Sequence, residues 1–247
     1  MIEFFRKIRQ KMLTDQPVGM TGNKFGKYLT YAIGEIILVV IGILIAVSIN
    51  NWNDKRKAND AIKDVYLIIQ NDLSNDIKII DRVLVLTKSR DSIFERVITR
   101  DMTMDDYMGC KFCSNILNGF PDISLKTRGL KLLEANSNTQ KSNYDSLSIR
   151  IIEFYDYYNT EIEVAIEEVK SDYEDNRYYF KNNMSWYEDY EAQTINKEFI
   201  KYALESQDYR NRVRSFYILY YKLYLGYLKQ YKKVALTLIK DINKEIK

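Results

Sequence analysis

The sequence predicts an all-α protein, one N-terminal transmembrane helix followed by an antiparallel bundle of long helices. Three observations predict it. Residues 32–49 contain twelve Ile, Leu and Val. There are only two prolines, Pro17 and Pro121, so nothing after residue 121 forces a helix to break. Apolar residues recur at spacings of three and four through the rest of the chain, and no period-two alternation argues for strands.

The apolar stretch decides the topology. On an insertion scale of about −0.3 to −0.6 kcal/mol per Ile, Leu or Val, the twelve contribute roughly −4 to −7 kcal/mol. A carboxylate at the bilayer centre costs about 2.5 to 3.5 kcal/mol, and less near an end. Insertion therefore wins despite Glu35. At about 1.5 Å per residue the run spans roughly 27 Å, close to a bilayer core. Tyr28, Tyr31 and Trp52 bracket it as interfacial aromatics. Ala46-Val47-Ser48 faintly resembles a signal cleavage site, but the run is longer than a signal core and begins some thirty residues in. The expectation is a retained signal anchor, with residues 1–30 as a basic amphipathic tail, 31–52 as the span and 53–247 as a helical domain.

Basic residues set the orientation. Arg6, Lys7, Arg9, Lys11, Lys24 and Lys27 precede the span, and Lys55, Arg56, Lys57 and Lys63 follow it. The excess favours a single-pass protein with its N-terminus in the cytoplasm and the large domain outside. In "MIEFFRKIRQKML", Phe4, Phe5, Ile8, Met12 and Leu13 gather near one helical face, opposite Arg6, Lys7, Arg9 and Lys11. That suits a helix lying on an anionic leaflet; a basic tail that merely sets topology is the other reading. "DQPVGMTGNKFG" reads as a hinge into the span.

Glu35, Gly42 and Ala46 fall on one stripe at about 100° per residue. Gly42 and Ala46 form a small-xxx-small pair, which lets two helix backbones approach closely. Three readings of Glu35 stand: it snorkels to the headgroups, it faces a second copy across an oligomer interface, or it serves an ion-coupled role.

Beyond the span, Ile69, Leu73, Ile77, Ile80, Leu84, Phe94 and Ile98 form an amphipathic pattern that skips Thr87 and Asp91. "DMTMDDYMGCKFCSNILNGFPD" reads as a loop with a short helical turn, "ISLKTRGLKLLEA" as a short helix and "NSNTQKSN" as a polar turn. A long helix is predicted from Tyr144, with Leu147, Ile151, Phe154, Tyr158, Ile162, Ala165 and Val169 inward. "NRYYFKNNMSWYED" breaks that pattern, and "INKEFIKYALES" is a short helix. The last helix runs from about Tyr209 to Ile246, with Val213, Phe216, Tyr220, Leu223, Tyr227, Tyr231, Val234 and Leu238 inward. The chain's 21 tyrosines, Tyr220, Tyr224, Tyr227 and Tyr231 among them, are expected in the core and at its rim.

Several chemistries are excluded. With no histidine, Ser-His-Asp and Cys-His catalysis and every His-based metal site are absent. Neither G-x-G-x-x-G nor G-x-x-x-x-G-K occurs. A net charge of +3 gives no global field for nucleic acid. Nothing assembles a nucleophile with its base, so no enzyme activity and no cofactor are expected. Cys110 and Cys113 form a C-x-x-C; in a domain outside the cytoplasm a local disulfide is the expectation, with incidental thiols and redox function as alternatives.

"FFRKIRQKML" followed by "KYLTYAIGEIILVVIGILIAVSINNWND" resembles the N-terminal signature of an uncharacterised family of bacterial single-span membrane proteins. The likeness covers roughly the first 55 residues, including the Gly34-Glu35 pair and the Ile49-Asn50-Asn51-Trp52-Asn53 exit. Leu125, Gly129 and Leu130, leading to Tyr155, follow its short-helix pattern more loosely; the two cysteines and "DQPVGMTG" stand outside it. The resemblance implies the topology and brings no activity. The functional expectation is a membrane-anchored helical module that binds, as a sensor or a scaffold, with the lipid bilayer, an unidentified protein partner and a second copy through the span as partners. The alternative is an accessory subunit of an ion-driven or transport complex using Glu35.

Overall fold

The structure, a computed structural model, describes residues 6, 7, 10, 24–110, 112–139 and 145–247, and no strand occurs among them. The fold is all-α. Its elements are α1 (Lys24–Thr99), α2 (Met104–Gly109), a 3-10 turn (Cys113–Asn115), α3 (Arg128–Thr139), α4 (Ser146–Asn183), α5 (Tyr187–Glu191), α6 (Lys197–Glu205), α7 (Gln207–Phe216), a π-helix (Tyr217–Tyr224) and α8 (Leu225–Glu245). The chain divides into two units, Met1–Lys57 and Ala58–Lys247.

In the first unit the start of α1 carries its apolar side chains on every side. Ile33, Ile36, Ile37, Val40, Leu44, Val47 and Ile49 are all exposed. The most apolar window has a mean hydropathy of 2.8 and none of it is buried. This segment is long and apolar enough to cross a membrane.

The second unit is a three-helix bundle with short helices packed on it. Asp76 meets Tyr231, the Thr87 carbonyl meets Tyr221, and Phe94 stacks on Phe216. As numbers rise along α1 they fall along the C-terminal helix, so the two run antiparallel. α4 meets the same helix in the same sense, through Arg150 with Asp241, Glu161 with Tyr227 and Asp172 with Ser215. α1 and α4 therefore run parallel, joined by the crossover at 100–145. Short side chains begin the helices: Asp145 caps α4, Asn196 caps α6 and Ser206 caps α7, each accepting backbone N–H groups otherwise left without partners.

Every residue predicted to face inward on α4 is buried. Several boundaries differ from expectation. α4 continues through Asn183 because Asn176 and Phe180, seven and eleven residues after Val169, extend its buried stripe; the break falls only at 184–186. Residues 136–139 belong to α3 rather than to a polar turn, and 123–127 precede it without regular structure. On α1 the buried face includes Val83, Thr87 and Val97, with Ile77, Leu84 and Ile98 only half-buried. Thr87 is accommodated because its hydroxyl donates to the Val83 carbonyl at 2.8 Å. Tyr144 and the hinge "DQPVGMTG" lie outside the described residues.

The C-terminal helix is the clearest departure. Val213, Phe216, Tyr220, Tyr231 and Leu238 are buried as predicted, but Leu223, Tyr227 and Val234 yield the core to Tyr224, Leu228 and Ala235, each one residue later. The cause is the π-helix, where the Leu225 N–H reaches back to the Tyr220 carbonyl. An i→i+5 turn takes up one extra residue and rotates the helix after it, enough to change which of two neighbours is buried at 227/228 and 234/235 while Tyr231 and Leu238 stay in the core.

Two carboxylates hold the crossover to α1. Asp72 and Asp76, one turn apart, are both buried, Asp76 to 1% exposure. Asp72 accepts the Gly129 N–H at 2.9 Å. Asp76 accepts the Lys126 N–H at 3.2 Å and the Tyr231 hydroxyl at 2.8 Å. Gly129 is where α3 touches α1. A Cβ there would sit 2.5 Å from Ile69 Cγ1 and 2.9 Å from the Ile69 Cα, so only glycine fits without moving backbone.

Gly129→Ala should therefore destabilise the folded chain by about 2 to 4 kcal/mol, through overpacking and the strained Asp72 hydrogen bond, read as a lower denaturant midpoint. The second prediction concerns pH. Burial pushes the Asp76 carboxyl up to about 6, against the Tyr231 and Lys126 hydrogen bonds. Between about pH 4 and pH 6 the unfolded chain releases this proton while the folded chain keeps it. The contribution is thus full at low pH and lost as pH rises through that window, by roughly 2 to 3 kcal/mol. In Asp76→Asn, less stable overall, the difference from wild type should shrink across the window; parallel stability–pH curves would reject this assignment.

Candidate functional site

The sequence-predicted residues do not gather into one site. Glu35 and Ala46 are exposed and Gly42 is half-buried. Gly42 and Ala46 line one shallow groove on the helix with Ile45, Ile49 and Asn53, as their spacing predicts. Arg6 and Lys7 are exposed; Arg9 and Lys11 lie outside the described residues. Cys110 and Cys113 are joined, with Cα atoms 5.4 Å apart. Among the described residues no group of three His, Cys, Asp or Glu is placed to hold a metal ion.

The feature that sequence reasoning missed is a cleft of about 290 Å³ in the second unit. Its first wall is α1, from Val85 to Phe94. The second is the loop after the disulfide, where Phe112, Ile116, Gly119, Phe120 and Pro121 face the opening. The third is the join of α7 and the π-helix, presenting Phe216, Tyr220 and Tyr221.

Each wall has a local cause. The consecutive aromatics at 216–224 stack along the widened helix. Phe216 lies on Tyr220 with ring centroids 5.7 Å apart, and Tyr220 on Tyr224 at 5.5 Å. Their hydroxyls reach outward to fix the loop. Tyr220 donates to the Pro121 carbonyl at 2.9 Å, and the Ile123 N–H donates to Tyr224 Oη at 3.2 Å. Tyr221 donates to the Thr87 carbonyl at 3.4 Å, tying the third wall to the first. Gly119 turns the loop at φ +120°, a backbone region that a side chain disfavours. Phe120 then inserts against Phe216 at 6.1 Å and Tyr220 at 5.7 Å.

The mouth is unusually apolar. Val85 is 72% exposed, Leu86 63% and Phe112 43%, three large side chains that a soluble surface ordinarily tucks away. One charge lines the space. The Arg90 guanidinium lies 4.7 Å from the centroid of Phe112, over its face. Burial raises the Tyr220 and Tyr221 hydroxyls above their ordinary range, and the Arg90 charge acts on both in the opposite direction. They are neutral hydrogen-bond donors at physiological pH. Among the described residues the cleft is thus lined by aromatic walls and one cation.

Partial signals lie in the residues: Val85-Leu86 adds apolar residues off the helical stripe, and the C-x-x-C frames an aromatic. Neither locates a cleft without the fold.

A family model described as a family of unknown function, DUF6090, matches residues 35–167. That interval takes in the apolar segment and the first two walls of the cleft; Phe216, Tyr220 and Tyr221 lie beyond it. No curated protein and no solved structure matches the chain.

Replacing Cys110 and Cys113 together by serine should lower stability by about 1 to 2 kcal/mol, the modest effect of releasing a very short closed loop. Denaturant unfolding checks this: reductant should bring the wild type down to the variant's midpoint and leave the variant unmoved.

Proposed function

The chain belongs to this family of unknown function, and on that premise we propose a membrane-anchored binding module. The apolar segment of α1 crosses a bacterial inner membrane once, with the N-terminus in the cytoplasm, and the helical bundle outside captures a small ligand in its aromatic cleft. A sensor-like role follows, with output through a separate protein partner.

The observation that carries the reading is a contrast within the chain. The first unit exposes apolar side chains all around a helix, which only lipid or another helix satisfies. The second buries most of its aromatics in a core and opens a cleft beside them. The basic excess before the span and the joined Cys110 and Cys113 both support an outward-facing bundle. A second reading, an accessory subunit of an ion-driven complex, is favoured by one fact: Glu35 is an exposed carboxylate within the apolar segment. The Gly42 and Ala46 groove supports a homo-oligomer through the same helix.

The protein should stay in the membrane pellet through a carbonate wash. In intact cells, a membrane-impermeant maleimide should label Cys110 and Cys113 only after an impermeant reductant. Release by carbonate removes the anchor, and labelling that requires lysis reverses the orientation. Unchanged crosslinked assembly in Glu35→Gln eliminates the acid from any oligomer face.

A further inference from the structure

We infer that the cleft takes a small organic carboxylate with a flat aromatic body, its charge held by Arg90 and its rings between Phe112, Phe120 and Tyr220. This rests on the reading of the cleft as a binding site and goes on to name the chemistry of what is bound.

Size comes first. About 290 Å³ lies at the lower end of small-molecule sites, which run from roughly 300 to 1,000 Å³. It admits a fused two-ring compound and excludes a folded peptide. The walls come next. Phe120 meets Tyr220 at a tilt of 51°, and Phe112 stands half open at the mouth with Arg90 against it. Ring faces and edges of this kind favour an aromatic guest over an aliphatic chain, because offset and edge-on ring contacts add to plain burial.

Charge decides the class. The acids flanking the cleft are drawn towards other cations, although Asp91 Oδ1 is buried without a hydrogen-bond partner. Asp122 lies 3.5 Å from Lys170, and Asp91 sits in the field of Lys222. Arg90 has no carboxylate partner among the described residues and is half-buried where the cavity opens. A guanidinium presents a planar fork that pairs two-fold with a carboxylate, and it does so more strongly where water is partly excluded. A neutral aromatic would leave that fork unanswered, and an ammonium compound would be repelled by it. An anionic headgroup on a flat apolar body satisfies both features at once.

The test uses the full chain in lipid nanodiscs and isothermal titration with 2-naphthoate and its uncharged counterpart 2-naphthamide. Naphthoate should bind at least about tenfold more tightly than the amide, the difference expected of one charge-assisted pair. Arg90→Gln should weaken naphthoate to the level of the amide, leave the amide unchanged and melt with the wild type. Ser89→Trp, which fills the opening from α1, should weaken both. If the two compounds bind equally and Ser89→Trp weakens both, the cleft is a binding site but the carboxylate class is wrong. If neither binds up to about 1 mM, the binding reading itself fails. Naphthoate binding that ignores both substitutions lies elsewhere on the protein and overturns the inference.

Discussion

Two buried carboxylates on α1, Asp72 and Asp76, hold the architecture together. A carboxylate taken out of water costs several kcal/mol unless other donors replace the solvent. Here the replacement comes from outside the helix: the backbone N–H groups of Lys126 and Gly129 and the hydroxyl of Tyr231. Each acid therefore demands that a particular stretch of chain lie against α1, and together they fix the crossover at one height along it. A purely apolar contact would tolerate sliding by a turn; these hydrogen bonds do not. Because the same crossover carries Phe120 and Pro121, the second wall of the cleft inherits its position from this pair. Gly129 allows the approach, since any side chain there would meet the backbone of Ile69.

The cleft also depends on a deliberate irregularity. A strictly α-helical C-terminal segment would continue the stripe Tyr220, Leu223, Tyr227 and leave Leu228 and Ala235 further from the core than they are. The π turn widens the helix where four tyrosines and Phe216 crowd together, stacking the rings and bringing Tyr220, Tyr221 and Tyr224 inward at once. Their hydroxyls then anchor both neighbouring walls, so one local distortion supplies aromatic lining and polar attachment together.

Much of this was legible in the residues. The apolar run at 32–49 announced a segment that no soluble core accommodates, and the inward stripe of α4 can be read off at intervals of three and four. What escaped did so for physical reasons. Helical periodicity assumes a constant turn, so a π insertion shifts later positions, Tyr227 to Leu228 and Val234 to Ala235, without marking the sequence. Asp72 and Asp76 resemble surface acids until the distant N–H groups they capture are known. The cleft joins residues near 90, 120 and 220, and a one-dimensional pattern does not hold that conjunction. Arg90 stands among other basic residues and is distinguished only by which carboxylates are elsewhere engaged.

The pairing of α1 with α8 has a consequence for how the molecule is made. Gln70 donates to Asn243 across 173 positions of chain, and the helix that closes both α1 and α4 is synthesised after both of them. Until it emerges, the two earlier helices carry aromatic faces with no counterpart. Closure of this kind, between distant stretches of a polypeptide, is slow because a long loop must be drawn together before any contact rewards it. The nascent domain thus stays open and sticky until that helix is made, which makes it a natural client of chaperones.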